Sequence, residues 1–115
     1  MSAALLSCLF IPTAAHATYY SASGYISWYN GEGKIGYDEK KLTSSDCATD
    51  QERDNPPAGT KIYVNDDTTG KSKEFYKYDV CNCPEDVVLD LTKTGWKSFG
   101  HSLDEGYLRG RYFHG

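Results

Sequence analysis

Basic residues are in deficit: twelve Lys and Arg against sixteen Asp and Glu leave a formal net charge of −4. Without a basic stripe the chain has no electrostatic footprint for nucleic acid, and that partner class is set aside. Methionine occurs once, no apolar run is long enough to span a bilayer, and neither an internal repeat nor a low-complexity tract is present. At 115 residues there is room for one small domain and a modest core. What the chain does have is eleven Gly and ten Tyr, a composition that favours turns and strands over helices.

Residues 1–17, M-S-A-A-L-L-S-C-L-F-I-P-T-A-A-H-A, are apolar and uncharged and end in Ala15-His16-Ala17, the small-x-small form of a cleavage site. They read as a signal peptide cut before Thr18, although the usual basic n-region is missing. Leu5-Leu6-Ser7-Cys8 has the shape of a lipobox, but it leaves no space for an apolar h-region ahead of it. The expectation is a secreted, extracellular protein whose domain is residues 18–115, a monomer with no membrane attachment after cleavage.

Secretion permits disulfides, and Cys47, Cys81 and Cys83 remain after cleavage. A long-range bridge from Cys47 to Cys81 or Cys83 is expected, stabilising by roughly 3 kcal/mol through the loop it closes. A zinc site using the C-x-C with His101 or His114 is the competing reading. The C-x-C lacks the usual spacer between thiolates, so no metal and no cofactor is assigned. Both histidines read as solvated.

The densest stretch is Tyr78 to Gly100, Y-D-V-C-N-C-P-E-D-V-V-L-D-L-T-K-T-G-W-K-S-F-G. Val87, Leu89 and Leu91 alternate with Val88 and Asp90, the period of a strand with one face in the core and Asp90 on the other. Thr92 can cap a short helix that presents Trp96 and Phe99 inward, and Gly100 suits the left-handed residue that ends it.

Elsewhere Gly24–Tyr29 reads as a first strand, with Ile26 and Trp28 on one face and Tyr25, Ser27 and Tyr29 on the other. Gly36 to Leu42 is a second short strand at best, and Ala48 to Thr60 a polar surface loop. Lys61–Asn65 and Lys73–Val80 form a hairpin. Tyr107–His114 is a last strand in which Gly110 marks a bulge or close approach. Five or six short strands with one brief helix suggest a small closed barrel.

The order of V-L-D-L-T-K-T-G-W-K-S-F-G, Ser102-Leu103-Asp104-Glu105-Gly106 and the final strand resembles the double-psi β-barrel domain of expansins, barwin-like proteins and rare-lipoprotein-A-like proteins. Asp90-Leu91-Thr92 stands where that family has Asp-Leu-Ser. Pro57-Ala58-Gly59-Thr60, Thr69-Gly70-Lys71 and Asp79 ahead of Asp90 add to the likeness, which covers nearly all of Gly24 to His114. The resemblance implies an all-β, six-stranded double-psi β-barrel with one or two short helices. It makes Asp90 and Asp79 the candidate catalytic carboxylates of a groove to which Ser27 or Tyr29 adds a hydroxyl, with Tyr78 a further candidate for substrate contact. It also departs from the family. The lytic transglycosylase His falls on Asp46, no Glu matches its partner, and Asp-Arg-Gly-Pro is replaced by Asp79-Val80-Cys81-Asn82. The plant expansins' His-Phe-Asp and the flat aromatic carbohydrate-binding domain find no match either.

Three functions follow. The leading one is an expansin-like, non-hydrolytic protein that binds cell-wall polysaccharide or peptidoglycan. The second is a protein-binding module such as an inhibitor of a secreted papain-type cysteine protease, or a defence or virulence protein. The third is a weak glycan-cleaving enzyme, since two carboxylates in one groove can divide acid and base roles. Tyr25, Trp28, Tyr37 and Tyr107 are among many aromatics able to stack on sugars, although for any single one a place in the core or rim of a small barrel is the favoured reading.

Overall fold

The computed structural model describes residues 19–115, so the expected leader lies outside the described residues. Six strands, β1 (Tyr20–Tyr29), β2 (Asp46–Asp50), β3 (Lys61–Asp66), β4 (Ser72–Cys81), β5 (Val87–Thr92) and β6 (Tyr107–His114), close into a barrel in the order β1-β5-β2-β4-β3-β6. β1 runs parallel to β5 and β2 parallel to β4, while the other neighbours are antiparallel. Parallel neighbours require the chain to cross the barrel between them rather than turn back on itself.

The central stretch folds as its pattern dictates. Leu89 and Leu91 of β5 are fully buried, and Asp90 between them faces the outer surface and is half-buried. Thr92 accepts the backbone N–H of Gly95 and starts the one α-helix among the described residues, α1 (Lys93–Lys97). Trp96 and Phe99 enter the core, and Gly100 takes a positive φ of 94° where the chain leaves the helix. The hairpin of β3 and β4 and the bounds of β6 also follow the expected pattern.

Three expectations are corrected. β2 lies partly within the stretch read as loop, since Ala48, Thr49 and Asp50 are strand, whereas Gly36–Leu42 holds no strand beyond the isolated bridge of Ile35 with Lys41. Periodicity missed β2 because it has no apolar alternation: D-C-A-T-D is buried along its whole length between β4 and β5. Its polar ends are satisfied instead. Asp46 accepts from Lys40 Nζ at 2.7 Å and the Thr43 amide at 2.8 Å, and Asp50 caps the turn that follows by accepting from the Glu52 amide.

The second correction is the disulfide. Cys81 is bonded to Cys83, and Cys47 is a buried free thiol. Cys47 pairs in register with Lys77, while Cys81 pairs with Asp50. Three residues of strand, roughly 10 Å at about 3.3 Å per residue, separate the two positions along β2. That exceeds the reach of a disulfide, about 7 Å between Cα atoms. Burial raises the Cys47 thiol above its ordinary pKa, which leaves it protonated and unreactive.

The third concerns the histidines, neither of which is solvated. His101 stands between Asp66 (Nε2 to Oδ2, 2.6 Å) and Glu105 (Nδ1 to Oε1, 2.8 Å), and His114 lies 2.9 Å from Asp54. Burial opposes the charge on His101, but its two carboxylate partners outweigh that and raise its pKa.

Gly110 shows why β6 can close the barrel. A Cβ there would collide with the Asn65 carbonyl oxygen on β3 and come within 2.9 Å of Ile26 Cδ1 in the core. Gly110→Ala is expected to lower the stability by about 2 kcal/mol through overpacking. An unchanged urea midpoint would show that β3 yields and that the close approach is not needed.

Candidate functional site

Register brings the predicted residues into one row. Ser27 of β1 pairs with Asp90 of β5, Asp90 with Ala48 of β2, and Ala48 with Asp79 of β4. Two bulges make this possible. Val88 is the extra residue between the Tyr25–Val87 and Ile26–Leu89 pairs, and Tyr78 the extra one between Cys47–Lys77 and Ala48–Asp79. Each bulge re-aims the side chains that follow it, which sets both aspartates on the outer face.

The two carboxylates have different surroundings. Ser27 Oγ donates to Asp90 Oδ1. Burial raises the pKa of Asp90 and the Asp79 charge adds to this, outweighing the Ser27 bond. Asp79 is occupied on both oxygens, by the Tyr29 hydroxyl and the Tyr37 amide at 2.8 Å each. Burial, then the bond to Asp79, raises the Tyr29 pKa, so its phenol stays protonated and donating.

Tyr37 belongs to the loop of residues 30–42, which is strapped over β4. Asp38 pairs with the buried Lys77 at 3.2 Å, and the Asp38 amide donates to the Tyr78 carbonyl. Gly36 is required there, because a Cβ would come within 2.7 Å of that carbonyl oxygen. The strap covers Asp79 and leaves Asp90 open.

Asp90 and Ser27 lie in a groove of about 360 Å3 walled by Trp28, Leu103 and Tyr107 on one side and Cys81 to Pro84 on the other. Asp79, Tyr29 and Tyr78 do not line it. Tyr78 lies with its ring under Lys40 Nζ, 4.8 Å from the centroid, and its hydroxyl beside Gly59. Trp28, expected on the β1 face of Ile26, packs against the core and also lines the groove, its indole N–H donating to the Leu103 carbonyl at 2.9 Å and Lys93 Nζ standing 5.7 Å from its ring. Among the many aromatics, only the pairing of β1 with the 103–107 segment could single out Trp28 and Tyr107.

The donor atoms of Cys81, Cys83 and Asp90 lie within 4.8 Å of one another. With the two sulfurs bonded together they are not thiolates, and in this oxidised state they offer no metal ligand set. A larger concavity of about 530 Å3, between Ser44, Ser45, Ser72 to Phe75 and α1, contains none of the predicted residues.

The chain is 38% identical over 102 residues to "Uncharacterized protein YdjM" of Bacillus subtilis (strain 168), a match covering 86% of the chain and 80% of that protein. The chain belongs to the YdjM family. No protein-family model matches it.

Among solved structures, the YdjM-family chain is similar to the Streptomyces papain inhibitor, with a TM-score of 0.64, 17% identity and coverage of 83% of this chain and 93% of that one. It is also similar to the Clavibacter michiganensis expansin in its apo form, with a TM-score of 0.66 and 18% identity over 81% of this chain. A mutant of that expansin in complex with cellohexaose matches with a TM-score of 0.66 and 15% identity. The chain spans about half the expansin, 49% of its length. At these identities the likeness is one of fold, and the fold is the double-psi β-barrel.

Asp90 sets a pH dependence of stability in this YdjM-family barrel. A carboxyl whose pKa rises on folding holds its proton more tightly in the folded chain. Its contribution is complete below the ordinary carboxylate pKa and is lost as pH rises through the folded value. Asp90→Asn cannot ionise, so the urea midpoint of the variant relative to the parent should rise from mildly acidic to neutral pH. A difference that stays constant with pH would mean that Asp90 ionises freely.

Proposed function

We propose that this YdjM-family protein acts outside the cell as a non-hydrolytic binder of extended polysaccharide in cell walls, glucan or peptidoglycan. The observation that carries this reading is the open groove with the Ser27–Asp90 pair at its floor and the rings of Trp28 and Tyr107 on its wall. A carboxyl and a hydroxyl can exchange hydrogen bonds with sugar hydroxyls, while aromatic faces cover the apolar face of a pyranose. Tyr107 is 56% exposed and free to do so. An expansin mutant that shares this fold over 49% of its length is in complex with cellohexaose, which supports the reading. The leader-like residues 1–17 support an extracellular setting.

Cleavage is disfavoured by the division between the two carboxylates. Acid and base roles need two groups that both reach the glycosidic bond. Asp79 is covered by the 30–42 loop and has both oxygens occupied.

A second reading has its own observation. Ile35 and Tyr37 are 67% and 65% exposed on that loop, an apolar tip suited to a protein cleft. The papain inhibitor shares the fold over nearly its whole length. In this reading the partner is a secreted papain-type cysteine protease.

Sedimentation with insoluble cellulose, chitin, plant cell wall and peptidoglycan separates these readings. The protein should pellet with at least one of them and release no sugar. Trp28→Ala and Tyr107→Ala should each weaken binding by roughly tenfold, and Asp90→Asn should weaken it with the fold intact. Binding to none of the four would transfer the proposal to papain inhibition, lost on Tyr37→Ala. Released sugar would establish glycan cleavage.

A further inference from the structure

The Cys81–Cys83 bridge does little for the fold. It joins residues separated by two positions at the end of one strand, so it ties together nothing that the chain does not already hold close. The unfolded-state entropy removed by so short a loop is small. Cys47, the residue placed to anchor a long-range staple, is buried and unpaired.

What the bridge does have is position. Both cysteines are half-buried in the groove wall, and Cys83 also borders a second concavity formed by Asp50, Glu52, Arg53 and Glu85. Cys83 therefore borders open space on two sides. Cys81 Sγ packs 4.0 Å from the Ala48 carbonyl oxygen, on the inner side of the pair. The Asp90 carboxyl lies within 4.8 Å of both sulfurs, close enough to pass a proton through one water.

We propose that Cys81–Cys83 is a redox-active disulfide that exchanges with dithiols entering the groove, with Asp90 as the proton carrier. An incoming thiolate attacks Cys83 Sγ. As the new S–S bond forms, the Cys81–Cys83 bond breaks, and its electron pair leaves on Cys81 Sγ, which takes the proton of Asp90. The second sulfur of the dithiol, deprotonated, then attacks the first, closes its own disulfide and releases Cys83, which is protonated by solvent. Two electrons and two protons pass from the dithiol to the bridge, and Asp90 regains from solvent the proton that the attacking thiol shed.

The groups facing Asp90 suit it to this task. Ser27 and the Tyr29 phenol approach from β1, the Asp79 charge from β4, and the Cys47 thiol from β2, the strand paired with β5. Burial together with Asp79 favours the protonated carboxyl, which can donate and does not repel an approaching thiolate. The exchange requires no glycan, so its test is independent of the binding assays above.

The test is reduction of the folded protein by dithiothreitol across a pH series, followed by alkylation and peptide mass mapping. Cys81 and Cys83 should be modified while Cys47 is not, near-UV circular dichroism should persist, and oxidised glutathione should restore the bridge. Cys81→Ser should trap a mixed disulfide between Cys83 and glutathione. Asp90→Asn should slow reduction roughly tenfold at mildly acidic pH, less than usual general-acid catalysis because a thiolate is already a fair leaving group. The deficit should vanish as pH rises and Asp90 in the parent ionises. A bridge that opens only in denaturant, together with Cys47, would overturn the proposal. Identical pH profiles for parent and Asp90→Asn would remove Asp90 from it.

Discussion

The register of β5 is the constraint on which the rest of the molecule depends. β5 lies between β1 and β2, with Leu89 and Leu91 fully buried in the core. Burying each leucine is worth about 1.5–3 kcal/mol. A slip by one residue would expose both and drive Asp90 into the core without its Ser27 partner. The same alternation that builds the core therefore holds a carboxyl on the outer face, beside the groove.

Two polar networks decide what that face presents. The 30–42 loop is held by Asp38 on Lys77, Lys40 on Asp46 and the Tyr37 amide on Asp79. Together they separate two aspartates of one row, one serving the fold and one open to the groove. On the opposite rim, His101 between Asp66 and Glu105 pins the segment whose Ser102 and Leu103 carbonyls receive the indole N–H groups of Trp96 and Trp28. One indole is thereby locked into the core and the other held at the groove wall. The site is thus assembled on rigid strands but framed by loops whose polar groups are paired, as a preorganised binding surface requires.

How much of this was legible follows from where each signal lives. The strand, cap and helix of Val87 to Gly100 were readable because alternation, a capping hydroxyl and a terminal glycine are local features. The hairpin and β6 were readable for the same reason. β2 was not, because its burial comes from neighbours on both sides rather than from its own hydrophobicity. Asp90 and Ser27 were found through family likeness and strand alternation. Tyr78 was misplaced because a bulge, invisible in the sequence, turns it away from the groove. The cysteines misled because composition counts thiols without giving distances, and Cys47 lies too far along β2 from the C-x-C.

The sequence by itself determined the core face of β5 and the helix that follows it through short-range periodicity and turn chemistry, while the double-psi class and the pairing of Asp79 with Asp90 were legible only through family likeness. Tertiary structure alone decided which aspartate is open, that the C-x-C closes on itself beside it, and that Trp28 and Tyr107 form the wall. Those outcomes depend on strand register and loop closure across the barrel, where partners distant in sequence meet only once the whole sheet has closed.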